Sequence, residues 1–324
     1  MSPRDTLADA ARNAMTHVLD LVPEDNVLVV TDPETMVCGE AFARGAEAAG
    51  CDVQLYCLPA EGRPLTAMPP DMSGLLDERT VVINAIIGDA REVGFRLEWL
   101  KLIEASPVIR LGHSPGIDQD MMGAGPLNVD YVAMQQRADE LFEFFDGAVS
   151  VHITAPGGTD LVLDLTGREF VSDLHAKPGV GCNLPCGEVY CCPVETGAEG
   201  VLVVDGCFGS WGNMESSATF TLAGGRVVDV TSADGPALAE ILRLLDTDDG
   251  ARNIAELGIG LNPEARLTDR MLEAEKVAGT AHIAFGTNEG MPGGQSRSGV
   301  HIDYLFVGPR FVVTDQAGET RKLD

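Results

Sequence analysis

The sequence predicts an α/β protein in two parts: an N-terminal parallel-sheet α/β domain over residues 1–147, then a largely antiparallel α+β domain over residues 148–324. Three observations support this division. A chain of 324 residues is long for one hydrophobic core, and two domains are the natural expectation. In the first 145 residues, continuous apolar runs alternate with segments of helical period, as in a parallel sheet covered on both faces. From about residue 148, short strands follow one another through Gly-rich turns, the pattern of an antiparallel arrangement.

The elements run as follows. "TLADAARNAMTHVLDLV" repeats its apolar positions with helical period, "NVLVVTD" reads as a buried strand, and "TMVCGEAFARGAEAAG" is helical again. "DVQLYCL", "RTVVINAII" and "PVIRLG" are further strands, with a helix around "GFRLEWLKLIEA" before the last. The helix "VDYVAMQQRADELFEFF" closes the first part, and the change of pattern after it sets the boundary near 147. Beyond it, "AVSVHITA", "TDLVLDLTG", "GVLVVDG", "SATFTLAGGRVVDVTS", "TAHIAFG" and "SGVHIDYLFVG" read as strands, with a hairpin turn at Gly224-Gly225. "PALAEILRLLDT" is the main helix of this part. The segment "HSPGIDQDMMGAGP" follows "PVIRLG", at the strand end where parallel sheets open their ligand crevices. It reads as a long surface turn, or as an entrance lined by His113, Ser114 and the methionines.

Composition excludes several partners. The chain carries 22 basic and 50 acidic residues, a formal charge of −28, and so lacks the basic patches that nucleic acid or an anionic membrane would require. No apolar run reaches membrane-spanning length and the start lacks the order of a signal peptide, so a cytoplasmic location is expected. No strand is followed by GxGxxG, and GxxxxGK[ST] is absent, which leaves a dinucleotide or P-loop site unsupported. The eight cysteines are expected as free thiols. Cys182, Cys186, Cys191 and Cys192 fall within eleven residues. They fit paired structural-zinc spacing poorly and read as small apolar fillers.

Chemistry concentrates in the second part. "SGVHIDYLFVG" puts His301 and Asp303 on one face of a strand, because side chains alternate. His282 lies mid-strand in "GTAHIAFG", Glu188 in "GCNLPCGEVYCCP", and Glu256 in "NIAELGIGLNP". Carboxylates in apolar surroundings are costly unless paired or bound to metal. Five such groups in one domain point to a cation, although singly a histidine could be hydrogen-bonded in the core, Glu188 could close a turn, and Glu256 could cap or pair with Arg252 or Arg266.

Four ordered segments, "GCNLPCGEVYCCPVE", "NIAELGIGLNPEAR", "EKVAGTAHIAFG" and "SGVHIDYL", resemble the thermophilic-metalloprotease aminopeptidases of the aminopeptidase T and S type. The resemblance spans roughly residues 180–305. It implies a homodimer with two divalent ions (Zn, Mn or Co) held by Glu188, Glu256, His282, His301 and Asp303. One carboxylate would bridge the ions and a bound water would be the nucleophile. Glu256 would take the water's proton where it is not fully engaged as a ligand, and the substrate would be a short peptide or another small molecule.

Two departures open alternatives. The aminopeptidases carry a catalytic tyrosine shortly after the histidine of the HIAFG-like motif, whereas this chain has Asn288 and Glu289 there. The interval from His282 to His301 is also brief, at 19 residues. The same superfamily looks to include iron-dependent 2,5-dihydroxypyridine 5,6-dioxygenases, in which a single Fe(II) on His282, His301 and Asp303 would suffice. A metal-binding protein with a degenerate site is the third alternative. Retention of both glutamates favours the two-metal hydrolase.

Overall fold

The computed structural model describes residues 3–323. Packing divides the chain into two units, Met1–Tyr131 with Asp173–Cys186, and Val132–Ser172 with Gly187–Asp324. The boundary expected near 147 falls within the second unit, because the helix Tyr131–Phe145 goes almost wholly with it.

The first unit is built on five parallel strands in the order Asp52–Cys57, Asn26–Thr31, Val81–Ala85, Arg110–His113 and Cys182–Asn183. The first four come from the apolar runs of the sequence. The fifth arrives from far along the chain, and its two residues carry too little pattern to be read as a strand. Val81–Ala85 is buried at every position, which is why its sequence is apolar on both faces, apart from Asn84, rather than alternating. Leu28, Val30, Val82, Phe95, Trp99 and Ile103 form a core between this sheet and the helix Val93–Glu104.

The segment after Arg110–His113 is more ordered than a surface turn. Gln119–Gly123 forms a short helix whose first turn is capped by the Asp118 carboxylate, which accepts from the Met121 amide at 2.8 Å. Met121 and Met122 are buried in the core.

The second unit contains two seven-stranded sheets, antiparallel at every pairing. One runs Arg226–Ser232, Ala218–Ala223, Ala198–Val204, Asp160–Asp164, Ala148–Thr154, Arg310–Asp315, Thr320–Leu323. The other runs Gly212–Asn213, Cys207–Phe208, His301–Val307, Thr280–Gly286, Ile254–Gly260, Glu188–Cys191, Val171–Ser172. They meet through aromatic rings: Phe220 of the first sheet lies 5.7 Å from Phe285 and 4.8 Å from Tyr304 of the second. Such rings bury large areas, and they fix one face of the second sheet as the core face. The other face is left for chemistry. No helix among the described residues is long and apolar enough to cross a membrane.

A chain of polar groups closes the C-terminal ends of the parallel strands. Trp99 Nε1 donates to Asn84 Oδ1 at 2.9 Å, and the Asn84 amide then donates to His113 Nδ1 at 3.3 Å. The ring proton of neutral His113 therefore sits on Nε2. Burial, with the Arg96 guanidinium nearby, pushes the His113 pKa down to about 4. The unfolded chain takes that proton near pH 6.5, so the stabilisation is complete above about 6.5 and is lost as pH falls towards 4. We predict that stability in urea declines over this window, and declines less steeply in His113→Gln. An NMR titration midpoint for His113 near 6.5 would contradict the assignment.

Candidate metal centre

Register alone brings the five polar residues of the sequence motifs onto one face. In the second sheet Glu188 pairs with Gly260, Gly258 with His282, and Ala284 with both Glu256 and Asp303, while His301 pairs with Gly286. Partners across a ladder point the same way, so Glu188, Glu256, His282, His301 and Asp303 share the face turned away from Phe285 and Tyr304. The glycines among their ladder partners have a physical reason. A Cβ on Gly258 would lie 2.1 Å from the His282 ring, and one on Gly260 would lie 2.1 Å from the Val277 carbonyl. The glycines of "ELGIG" leave room for the imidazole and for the crossing chain.

One irregularity matters. The register of Ile254–Gly260 against Thr280–Gly286 shifts between Ile254 and Glu256, so Ala255 is an extra, bulged residue. Ile254 pairs with Phe285, on the core face, and without the bulge Glu256 would follow it there. The bulge turns Glu256 to the polar face.

The ligand atoms converge in two sets that share Glu256. Glu188, Glu256 and His282 form one, and Glu256, His301 and Asp303 the other, each set lying within 4.8 Å. Glu256 Oε1 lies 3.5 Å from His282 Nε2, and Glu256 Oε2 lies 3.1 Å from His301 Nε2. His282 Nε2 is 3.6 Å from Glu188 Oε2, and His301 Nε2 is 3.4 Å from Asp303 Oδ1. Ligand atoms about 2.1 Å from one tetrahedral ion lie about 3.4 Å apart. Nitrogen and carboxylate donors at these spacings fit a divalent cation. The His301 side chain is 31% exposed against 8% for Glu256, so the centre opens on the His301 side.

Burial disfavours every charge here, and mutual pairing reverses it for most. His282 is desolvated, yet Glu256, Asp303 and Glu188 raise its pKa to about 9. His301 is also desolvated and is held well above the usual imidazole range by Asp303 and Glu256. Burial would raise Glu256 and Asp303, but the two imidazoles pull both below the ordinary carboxylate range. The thiols nearby stay protonated, since burial pushes Cys192 and Cys207 up to about 12. Cys182, Cys186, Cys191 and Cys192 are all buried, and neither ligand set includes a cysteine.

Two participants escaped the sequence reading. Lys276 is wholly buried, with its Nζ bound to Glu188 Oε1 and 2.8 Å from Glu275 Oε1. Glu275 is raised by burial, against the opposing pull of Lys276. The signal lay in "EAEKVAG", where a lysine stands between an acidic run and a buried strand, but nothing in that pattern says which way it turns. Asn288, two residues beyond the strand Thr280–Gly286, is also buried.

Removing one partner of a buried ion pair typically costs about 3–5 kcal/mol, because the other charge is left uncompensated. Lys276→Met should therefore lower the stability of the metal-free protein by roughly that amount, measured by urea unfolding. A change below about 1 kcal/mol, the size expected of an exposed pair, would show that Lys276 carries no such charge balance.

The chain is similar to known proteins in both sequence and fold. Residues 130–314 match the model of the thermophilic metalloprotease (M29) family. Aminopeptidase T of Thermus thermophilus is 31% identical over 179 residues, and that of Thermus aquaticus 29% over 179 residues. Each match covers 48% of this chain and 42% of the relative, so the chain matches less than half the length of these relatives. Among solved structures, wild-type AmpT from Thermus thermophilus superposes with a TM-score of 0.73 at 18% identity, covering 98% of this chain and 97% of that one. A 2,5-dihydroxypyridine dioxygenase from Pseudomonas putida superposes with a TM-score of 0.74 at 18% identity, covering 99% and 98%. At that identity the two structures establish a shared fold.

Proposed function

The chain belongs to the thermophilic metalloprotease (M29) family, and from that premise we propose that it is a hydrolase using two divalent ions. The ions would be held by Glu188, Glu256 and His282 on one side and by Glu256, His301 and Asp303 on the other. The substrate would be an amide bond at the N-terminus of a short peptide. The observation that carries this reading is the placement of Glu256, whose two oxygens face two different imidazoles. A carboxylate so placed can bridge two cations, and five ligands exceed what a single facial triad needs.

When bound, two such ions polarise a carbonyl and make hydroxide available near neutral pH. The chain's own residues then have separable tasks. Glu256, whose two oxygens face two different imidazoles, would serve as the ligand common to both ions, and as proton acceptor where it is not fully engaged as a ligand. Lys276 Nζ binds Glu188 Oε1 and so holds that carboxylate at the sheet face. His301, on the open edge, stands where substrate would approach.

The second reading, a single Fe(II) on His282, His301 and Asp303, draws support from the dioxygenase of the same fold and from Asn288 in place of tyrosine. Against it, both tight ligand sets include Glu256, and neither consists of those three residues.

The test is a pair of assays on one preparation. Metal analysis after reconstitution should approach two equivalents. Hydrolysis of aminoacyl-p-nitroanilides or dipeptides should be slow, stimulated by Co, Mn or Zn, and abolished by chelator. His301→Ala combined with Asp303→Ala should abolish both binding and hydrolysis. Oxygen uptake with Fe(II) and dihydroxypyridines, without peptide hydrolysis, would overturn the proposal in favour of the dioxygenase. Metal retained with neither activity would identify a degenerate binding protein.

A further inference from the structure

We infer that Asn288 is a positioning residue that fixes Glu256 and His301 at once, an inference that rests on the metal-centre reading above. It starts from His301. The ring's Nδ1 lies 2.6 Å from the carbonyl of Thr287. A carbonyl only accepts, so Nδ1 carries a proton, and when the ring is neutral it is Nε2 that presents a lone pair to the ligand set. The orientation of His301 therefore depends on where the Thr287 carbonyl is held.

The next residue holds it. Asn288 is 1% exposed and its side chain makes three hydrogen bonds. Its amide nitrogen donates to the Ala255 carbonyl at 3.3 Å and to Glu195 Oε1 at 3.1 Å, and its oxygen accepts from the Ser296 amide at 2.7 Å. Ala255 is the bulged residue that turns Glu256 onto the polar face, and a bulge leaves its extra residue unpaired in the ladder. The Asn288 amide supplies the partner. One side chain thus ties the bulge beside Glu256 to the segment whose carbonyl orients His301.

The anchor is itself held. Glu195 receives Arg168 Nη2 at 2.6 Å and the Gln295 amide at 2.7 Å, and Arg168 also binds the Gly293 carbonyl. Close packing adds to this, since a Cβ on Gly294 would lie 2.1 Å from the Asn288 carbonyl. Where a longer side chain could project into the centre, this chain has an amide that braces two of the ligands.

Residues that orient metal ligands typically change affinity about 10–100-fold when replaced. The experiment measures Mn and Zn affinity by chelator competition on full-length Asn288→Ala and Asn288→Asp. It also follows the His301 ring Nδ1–H resonance by NMR in the metal-free protein. We expect affinity to fall by about 10–100-fold, and the slowly exchanging Nδ1–H signal to be lost. Glu195→Gln, which keeps an acceptor for Asn288, should weaken binding in the same direction but less. Asn253→Ala removes a contact to Ser296 Oγ at 3.1 Å without touching Asn288, and should leave affinity within about twofold of wild type.

Wild-type affinity and an intact Nδ1–H signal in the Asn288 variants would overturn the inference. So would an Asn253→Ala defect as large as theirs, which would indicate loop packing alone. If the Asn288 variants fail to fold, Glu195→Gln decides by the same two readouts. If the wild type binds no metal, the metal-centre reading fails, and the Nδ1–H signal still decides whether Asn288 fixes the His301 ring.

Discussion

The carboxylate of Glu256, buried and set between two imidazoles, is the constraint on which the rest of the site depends. Bringing it there takes a bulge at Ala255, without which the strand's alternation would turn it into the aromatic core. Keeping it there takes small neighbours, since Gly258 leaves space that the His282 ring occupies. Leaving it charged takes compensation. Isolated buried carboxylates are costly, and here the cost is offset by His282, His301 and Lys276, each within reach of at least one acid.

A count of charges extends the argument from ligands to chemistry. Glu188, Glu256, Asp303 and Glu275 contribute four negative charges when ionised, and Lys276 contributes one positive. In the metal-free centre, protonation of His282 and His301, which the surrounding carboxylates favour, would bring the sum close to neutral. Two divalent ions with neutral imidazoles would leave one positive charge, which a single hydroxide would balance. One divalent ion would leave the centre net negative and poorly suited to generating an anionic nucleophile. The aminopeptidase-like reading therefore agrees with electrostatics as well as with the geometry of Glu256, and the extra acids that one Fe(II) does not need have a role.

Much of this was legible in the sequence because alternation in a strand is a local property. "SGVHIDYLFVG" shows His301 and Asp303 on one face and Ile302, Tyr304 and Phe306 on the other, and the structure has Tyr304 buried among Phe208, Phe220 and Phe285. The division into a parallel and an antiparallel part followed from burial on both faces of Val81–Ala85 against half-burial of Asp160–Asp164. What escaped the sequence depends on contacts between distant segments. Cys182–Asn183 is a strand only because Arg110–His113 lies beside it. Lys276 reads as an ordinary surface lysine until Glu188, eighty-eight positions away, is seen to bind it. The bonds that Asn288 makes to Ala255 and Glu195 likewise join segments far apart in the chain.

The central claim is that Glu256 joins two cation positions, and anomalous diffraction from crystals soaked in Mn or Zn tests it most directly. The account predicts two anomalous peaks about 3.5–4 Å apart, one on each side of the Glu256 carboxylate. A single peak ligated by His282, His301 and Asp303, with Glu256 turned away, would contradict it.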